Sequence, residues 1–222
     1  MTVARSALPW YVHPAEDPGA WTTLARRRPR PSFVVVNVAN GPGDREDPWY
    51  PEAVAQLRDI RLLGYVDVAY GKRSPADVLA DVRAWLDVYN VGGVMFDQFP
   101  ADARSTDRCS EYVTGARRAG AGLVVGNPGV VPPLGHLALL DVTCVFEGTA
   151  SDHAGFRPPA GLSRVPRSRV WHLVHTCPPE DLAAVEGRAA RLGAGHVHVT
   201  DRVMPHPWGG FPMAATAQLA GR

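Results

Sequence analysis

The sequence is poor in cysteine, in lysine and in excess charge of either sign. Its only cysteines, Cys109, Cys144 and Cys177, are odd in number and form no C-x-x-C pair. They indicate neither a disulfide framework nor a zinc cage, and we expect buried thiols. Lys72 is the only lysine, and the formal net charge of the 222 residues is +1. A chain without a basic excess is not expected to bind nucleic acid, and a neutral ligand fits it better.

Long apolar runs are also missing. No stretch is apolar enough to span a bilayer, and Met1 to Pro9 lacks the hydrophobic core of a signal peptide. We therefore expect no membrane partner and a cytoplasmic protein as encoded, or a secreted one if a leader has been removed. Nothing in the sequence indicates an oligomeric state.

Several catalytic motifs are absent as well. There is no G-x-S-x-G elbow, no Walker or G-x-G-x-x-G spacing, and no cysteine with an evident histidine partner. Gly41-Pro42-Gly43 therefore indicates a tight turn and not a phosphate site. We expect chemistry without a cofactor.

What is present is an alternation of short β-rich runs with helical patterns, which is typical of βα units and a parallel sheet. Helical periodicity covers segments such as 51–60, 76–89, 109–119 and 180–192, whereas the proline-rich segment 148–169 is predicted to be a long loop. Eight strands are predicted: Leu8–His13, Phe33–Ala39, Leu62–Val68, Gly93–Phe96, Gly122–Gly126, Val142–Phe146, Val170–His175 and His196–Thr200.

Eight such strands with right-handed crossovers predict a single α/β domain over residues 1–222, a compact (β/α)₈ TIM-type barrel. An open doubly wound parallel sheet is the alternative. Active sites of barrels lie at the carboxyl ends of the strands. The polar residues at the predicted strand ends are Tyr11, His13, Asn37, Asn40, Asp67, Tyr70, Asp97, Gln98, Asn127, Glu147, His172, His175, His198 and Asp201.

Asp97 and Glu147 are the candidate catalytic pair. Each ends an apolar strand, and the two strands are separated by one other. Alternate strands lie about 10 Å apart, and inward-leaning acids narrow this to the ~5 to 9 Å used in glycoside hydrolysis. A structural role, in which Asp97 caps a helix or pairs with arginine, stays open. Aromatic residues that could stack on a sugar ring are Trp10, Tyr11, Trp49, Tyr65, Tyr70, Trp171 and Trp208.

His196 and His198 form an H-x-H pair near Asp201 and His206, which raises the possibility of a metal site. A catalytic metal needs further ligands from other strands. We therefore expect these histidines to be packed or exposed, and we predict no metal.

Several segments together resemble spherulation-specific family 4 (spherulin-4-like) proteins. The resemblance extends to about residue 155 and is carried by Leu8-Pro9-Trp10-Tyr11-Val12-His13-Pro14, Val36-Asn37-Val38-Ala39-Asn40-Gly41-Pro42-Gly43, Leu63-Gly64-Tyr65-Val66-Asp67-Val68-Ala69-Tyr70-Gly71, Gly93-Val94-Met95-Phe96-Asp97, Asn127-Pro128-Gly129 and Val145-Phe146-Glu147.

This resemblance implies a barrel related to glycoside hydrolases that cut α-1,4-linked galactosamine or N-acetylgalactosamine polymers. It implies that Asp97 and Glu147 are the catalytic acids. Asn37, Asn40, Tyr70 and Asn127 fall in the corresponding groove-lining motifs. Tyr11, His13, Asp67, Gln98 and His175 complete the predicted substrate-binding set.

Two departures from the family pattern affect the functional prediction. Asp97 is followed by Gln98, where the family usually has glutamate, and Asp67 stands where histidine is more usual. The leading hypothesis is a glycoside hydrolase acting on a polysaccharide or oligosaccharide. The alternative, motivated by Gln98, is a barrel that binds carbohydrate without cutting it. Metal-dependent hydrolysis through the H-x-H strand is a third hypothesis.

Overall fold

The computed structural model describes residues 3–215. All of its sheet pairings are parallel, and the strands lie near the predicted positions. The strands are β1 Arg5–Ser6, β2 Leu8–Trp10, β3 Val34–Val36, β4 Leu62–Asp67, β5 Val94–Asp97, β6 Val124–Asn127, β7 Val142–Thr149, β8 Val170–His175 and β9 His196–Val199.

The sheet closes because β1 and β2 are two halves of one interrupted strand. Arg5 and Ser6 pair with β9, whereas Leu8 to Trp10 pair with β3. At the break, the Ala7 amide donates to the Val197 carbonyl and the Leu8 amide donates to the Phe33 carbonyl, each over 3.2 Å. The remaining strands follow in chain order around the ring. The fold is therefore the predicted (β/α)₈ barrel, and the open doubly wound sheet is excluded.

Helices surround the barrel, and each lies in a connection between strands. The four named helical predictions are confirmed within a few residues. Ser74 caps the third helix, with its hydroxyl accepting from the Asp77 amide over 3.2 Å and Pro75 in the first turn. The helices are α1 Pro18–Arg26, α2 Tyr50–Gln56, α3 Pro75–Asp87, α4 Thr106–Arg118, α5 Leu134–Leu139, α6 Ala150–Gly155 and α7 Leu182–Arg191.

The prediction of a long irregular loop over 148–169 was wrong. Strand β7 continues to Thr149, α6 follows directly, and two short 3₁₀ helices cover 160–164 and 167–169. A capping box begins α6, because the Thr149 side chain accepts from the Asp152 amide and the Asp152 side chain accepts from the Thr149 amide. The Thr-x-x-Asp spacing was therefore a helix signal within a proline-rich segment.

Apolar side chains form an interior cluster within the barrel and two clusters between the sheet and the helices. The interior cluster includes Phe33, Leu63, Met95 and Trp171, which are at most 1% exposed and fill the barrel below the carboxyl ends of the strands. The three cysteines are buried and unpaired, as predicted. No helix within residues 3–215 is long and apolar enough to cross a membrane.

Candidate active site

Polar side chains occupy one layer at the carboxyl end of the barrel. Asp67 pairs in register with Asp97, and Asp97 pairs with Asn127. Two residues earlier on the same strands, Tyr65, Met95 and Val125 belong to the interior cluster. Because side chains alternate along a strand, the polar layer also faces inward. Asp97 therefore lies at the barrel mouth, as its position at a strand end predicts.

Glu147 reaches the same mouth because of a β-bulge. The register of β7 against β8 shifts between Cys144 and Phe146. Cys144 belongs to the interior cluster, whereas Val145 and Phe146 both pack into an outer cluster. With regular alternation from Cys144, the Glu147 side chain would point outward. The bulge inserts one extra residue into β7, so Glu147 points into the barrel instead. The bulge thus brings the second acid to the first.

Asn127 joins the two acids through a single nitrogen atom. Its Nδ2 donates to Asp97 Oδ1 over 2.7 Å and to Glu147 Oε2 over 2.5 Å, one hydrogen for each carboxyl. Its Oδ1 accepts from the Gly129 amide over 3.0 Å, which sets the orientation of the side-chain amide. The sum of the two donor distances limits the separation of the two acceptor oxygens to 5.2 Å.

Tyr65 is the second partner of Asp97. Its hydroxyl donates to Asp97 Oδ2 over 2.8 Å, and the Gln98 backbone amide also donates to the Asp97 carboxylate. Tyr65 is held in place by Trp85, whose indole N–H donates to the Tyr65 carbonyl over 2.7 Å. Trp85 packs so closely over Gly64 that a Cβ there would lie 2.1 Å from the indole ring. Glycine at position 64 is therefore required for this arrangement.

Trp208 is the second partner of Glu147. Its indole N–H donates to Glu147 Oε1 over 3.2 Å. Its own carbonyl accepts from the Tyr11 amide over 3.0 Å, so the segment that follows β9 is tied to the segment that follows β2. Tyr11 packs edge-on against Tyr65 with 5.6 Å between the ring centroids. The two acids therefore lie within an enclosure of aromatic rings.

Burial raises the pKa of both acids, and the hydrogen bonds oppose this effect unequally. Hydrogen bonds from Tyr65, Gln98 and Asn127 lower the pKa of Asp97 and so oppose the effect of burial. Only Asn127 and Trp208 lower the pKa of Glu147 in the same way. A neighbouring charge raises the pKa of each acid further, that of Asp67 for Asp97 and that of Asp97 for Glu147. With three hydrogen-bond donors against two, Asp97 is the acid that its surroundings favour to ionise first.

The backbone is strained around the same mouth. Six non-glycine residues within 3–215 have positive φ, and five of them follow the carboxyl ends of strands. Such conformations persist where the surrounding structure enforces them, and they concentrate at functional sites. The five are Asn40, Ala69, Tyr70, Gln98 and Thr176, with φ between 46° and 54°.

The predicted substrate-binding residues at the β3 and β4 ends lie on the Asp97 flank. Asn37 is engaged in a turn, because its side-chain oxygen accepts from the Gly41 amide over 2.9 Å. Asp67 Oδ1 accepts from the Ala69 amide over 2.7 Å. Asn40 and Asp67 line a cavity of about 270 Å³, and Tyr70 is 61% exposed at the rim.

The remaining predicted binding residues are more dispersed. His13 Nε2 lies 3.1 Å from Asp47 Oδ2, while its Nδ1 accepts from the Ala15 amide. His175 is buried, contacts Thr176 and packs edge-on against Trp208. Burial lowers the pKa of His175, so it is neutral near pH 7. Neither histidine contacts the two acids directly. Gln98 is half-buried beside Asp97.

The aromatic residues divide by position. Trp10, Tyr65 and Trp171 are at most 5% exposed, and Trp49 is 57% exposed. Tyr11 and Trp208 line a cavity that includes Glu147. The contacts of Tyr65 and Trp208 with the acids were not predicted. For Tyr65 the signal was its place two residues before Asp67 on the inward face, but for Trp208, 61 residues from Glu147, there was none.

The H-x-H pair faces the barrel interior. His196 and His198 pair in register with Trp171 and Leu173, which belong to the interior cluster. His196 Nε2 donates to the Ser168 carbonyl over 2.9 Å. Burial lowers the pKa of His198 to about 3, so its ring is neutral. Within residues 3–215 no group of three His, Cys, Asp or Glu side chains is arranged to hold a metal ion.

Comparison with known proteins identifies the family. The model of spherulation-specific family 4 matches residues 6–220. The chain belongs to spherulation-specific family 4. It is also similar to spherulin-4 of Physarum polycephalum, with 26% identity over 152 residues, 65% of this chain. The match spans 45% of the length of that relative.

Two solved structures are similar to the chain over nearly its whole length. The crystal structure of Aspergillus clavatus Sph3 in complex with GalNAc is 25% identical, with a TM-score of 0.81, and the match covers 100% of this chain and 98% of that one. A chitinase from Chromobacterium violaceum is 15% identical, with a TM-score of 0.58 and 98% coverage of each chain, and shares the fold. In this family 4 chain, the two residues that depart from the family pattern, Gln98 and Asp67, are neighbours of Asp97. The acids Asp97 and Glu147 both lie at the barrel mouth.

Proposed function

We propose that this chain is a glycoside hydrolase that cleaves α-1,4-linked galactosamine or N-acetylgalactosamine polysaccharides with Asp97 and Glu147. The observation that carries the proposal is the single Asn127 nitrogen shared by both carboxyl groups at the barrel mouth. The similar Sph3 structure contains GalNAc, which supports an amino sugar as ligand.

The spacing favours a retaining mechanism. Retaining glycosidases keep their carboxyl groups about 5 to 5.5 Å apart, and inverting enzymes about 6.5 to 9.5 Å, to admit a water molecule. The 5.2 Å limit on the separation of Asp97 Oδ1 and Glu147 Oε2 is closer to the first geometry.

In the proposed reaction, the Asp97 carboxylate attacks the anomeric carbon and the bond to the leaving oxygen breaks. Glu147 donates its proton to that oxygen. Water then attacks the glycosyl–Asp97 ester, Glu147 takes a proton from the water, and Asp97 is released. The three donors on Asp97 suit the nucleophile, and the raised pKa of Glu147 suits the proton donor.

The proposal is tested by the release of reducing ends from defined polymers. Wild type is expected to release them from α-1,4-linked galactosamine or N-acetylgalactosamine polymers and not from amylose or chitin. The double variant Asp97→Asn/Glu147→Gln serves as the control without catalytic acids. Equal release by the wild type and the double variant would end the proposal.

A carbohydrate-binding barrel without turnover is the second candidate, and Gln98 motivates it. Gln98 cannot ionise, and only its backbone N–H is directed to Asp97. Calorimetric binding of the same polymers by wild type, with no products after prolonged incubation, would favour this candidate. Turnover that the double variant abolishes would exclude it.

Asn127→Ala is expected to lower kcat roughly a hundredfold, because two buried acids lose their shared donor. The pKa of Asp97 rises when the hydrogen bond is lost, so the acidic limb of the pH profile moves to higher pH. The measurements are kcat against pH and the unfolding temperature. An unchanged pH profile with a lower kcat would indicate a merely structural role, and unchanged kcat would contradict the prediction.

A further inference from the structure

Two cavities lie on opposite flanks of the acid pair. One, of about 270 Å³, includes Asp67, the register partner of Asp97. The other, of about 220 Å³, is lined by Tyr11, Glu147 and residues 204–209, and we call it the loop cavity. In the order of strands around the barrel, β5 with Asp97 is the nearer acid-bearing strand to the first cavity, and Glu147 itself lines the second.

The surface of the loop cavity suits one sugar ring. Its volume is below the ~300 Å³ at which pockets for drug-sized ligands begin. Met204, 63% exposed, and two prolines supply apolar surface, and Trp208 forms part of the wall. Among residues 3–215 the Tyr11 hydroxyl has no hydrogen-bond partner. Burial, with the nearby Asp97 charge, raises the pKa of Tyr11 well above its usual value, so this hydroxyl is a donor.

We propose that the loop cavity binds the first sugar of the leaving group, on the reducing-end side of the scissile bond. This rests on the proposed function. The general acid must reach the oxygen that joins the two sugars, so the departing sugar lies on the side of Glu147. The Asp67 cavity then receives the part of the chain that becomes attached to Asp97.

The test compares two substrates that differ only in the leaving group. An α-1,4-linked N-acetylgalactosamine oligomer places a sugar in the loop cavity, whereas the α-glycosyl fluoride leaves that cavity empty. The variant is Met204→Ala/His206→Ala, because both residues line the cavity and are exposed. The matched control is Val203→Ala, which is 56% exposed on the same segment and lies outside the cavity lining.

The double variant is expected to lose roughly tenfold in kcat/KM on the oligomer and less than twofold on the fluoride. Val203→Ala is expected to match wild type on both. Equal losses on the two substrates, or no loss on either, would overturn the subsite assignment while hydrolysis itself stands. Wild type inactive on both substrates would instead overturn the proposed function and this inference with it.

Discussion

Replacing Asp97 by asparagine is expected to lower kcat on an α-1,4-linked N-acetylgalactosamine polymer by at least about 10⁴-fold. An amide neither attacks the anomeric carbon nor stabilises a developing positive charge. The substitution preserves shape: the new side-chain oxygen can accept from Asn127, and its NH₂ group can donate to the Tyr65 hydroxyl. Folding is therefore expected to be retained. Release of reducing ends and the unfolding temperature are the measurements.

The matched control is Asp59→Asn, at the opposite end of the barrel. Asp59 is an exposed carboxylate that pairs with Arg30 over 2.7 Å. This variant is expected to keep wild-type kcat. If Asp97→Asn retained more than a tenth of wild-type kcat, Asp97 would not be the nucleophile.

Glu147→Gln is expected to lower kcat roughly a thousandfold on the polymer, because the departing oxygen loses its proton donor. The loss should be much smaller when the first step is measured on an α-glycosyl fluoride, since fluoride departs without protonation. Wild-type activity should fall as pH rises through the pKa of Glu147, which burial raises, because the acid must carry its proton. That basic limb should be absent in the variant.

Glu111→Gln is the corresponding control, because Glu111 is an exposed partner of Arg108 on α4. Its rates on both substrates and its pH profile should match wild type. A Glu147→Gln enzyme that kept the basic limb, or lost equally on fluoride and polymer, would assign the acid to another residue.

The strand-end pattern predicted the barrel and the convergence of Asp97 with Glu147. For Asp97 and Asn127 the sequence alone indicates that the side chain points inward, because inward and outward positions alternate regularly on β5 and β6. The same rule, applied to Cys144 and Glu147, places them on opposite faces. Only the bulge puts both inward, and no residue type in Val145-Phe146 indicates it. Its cause is the register against β8, a non-local property.

The finer site was beyond sequence reasoning for a related reason. Asn127 was predicted to line the groove, yet both hydrogens of its side-chain NH₂ group are directed to the acids. That geometry depends on the Gly129 amide and on the bulge together. Trp208 lies in an irregular segment with no periodicity to place it. The segment after β9 reaches Glu147 across β8, which lies between β7 and β9 in the ring.

The closure of the barrel between its first and last strands affects the order in which the site is completed during synthesis. The interrupted first strand meets the last one there, and Tyr11 and Trp208 are joined across it. During synthesis on the ribosome, Asp97, Asn127 and Glu147 emerge well before Trp208 does. The nascent chain therefore holds both acids while one of them still lacks its indole partner. Proteolytic loss of the segment that follows β9 would likewise leave Glu147 without Trp208.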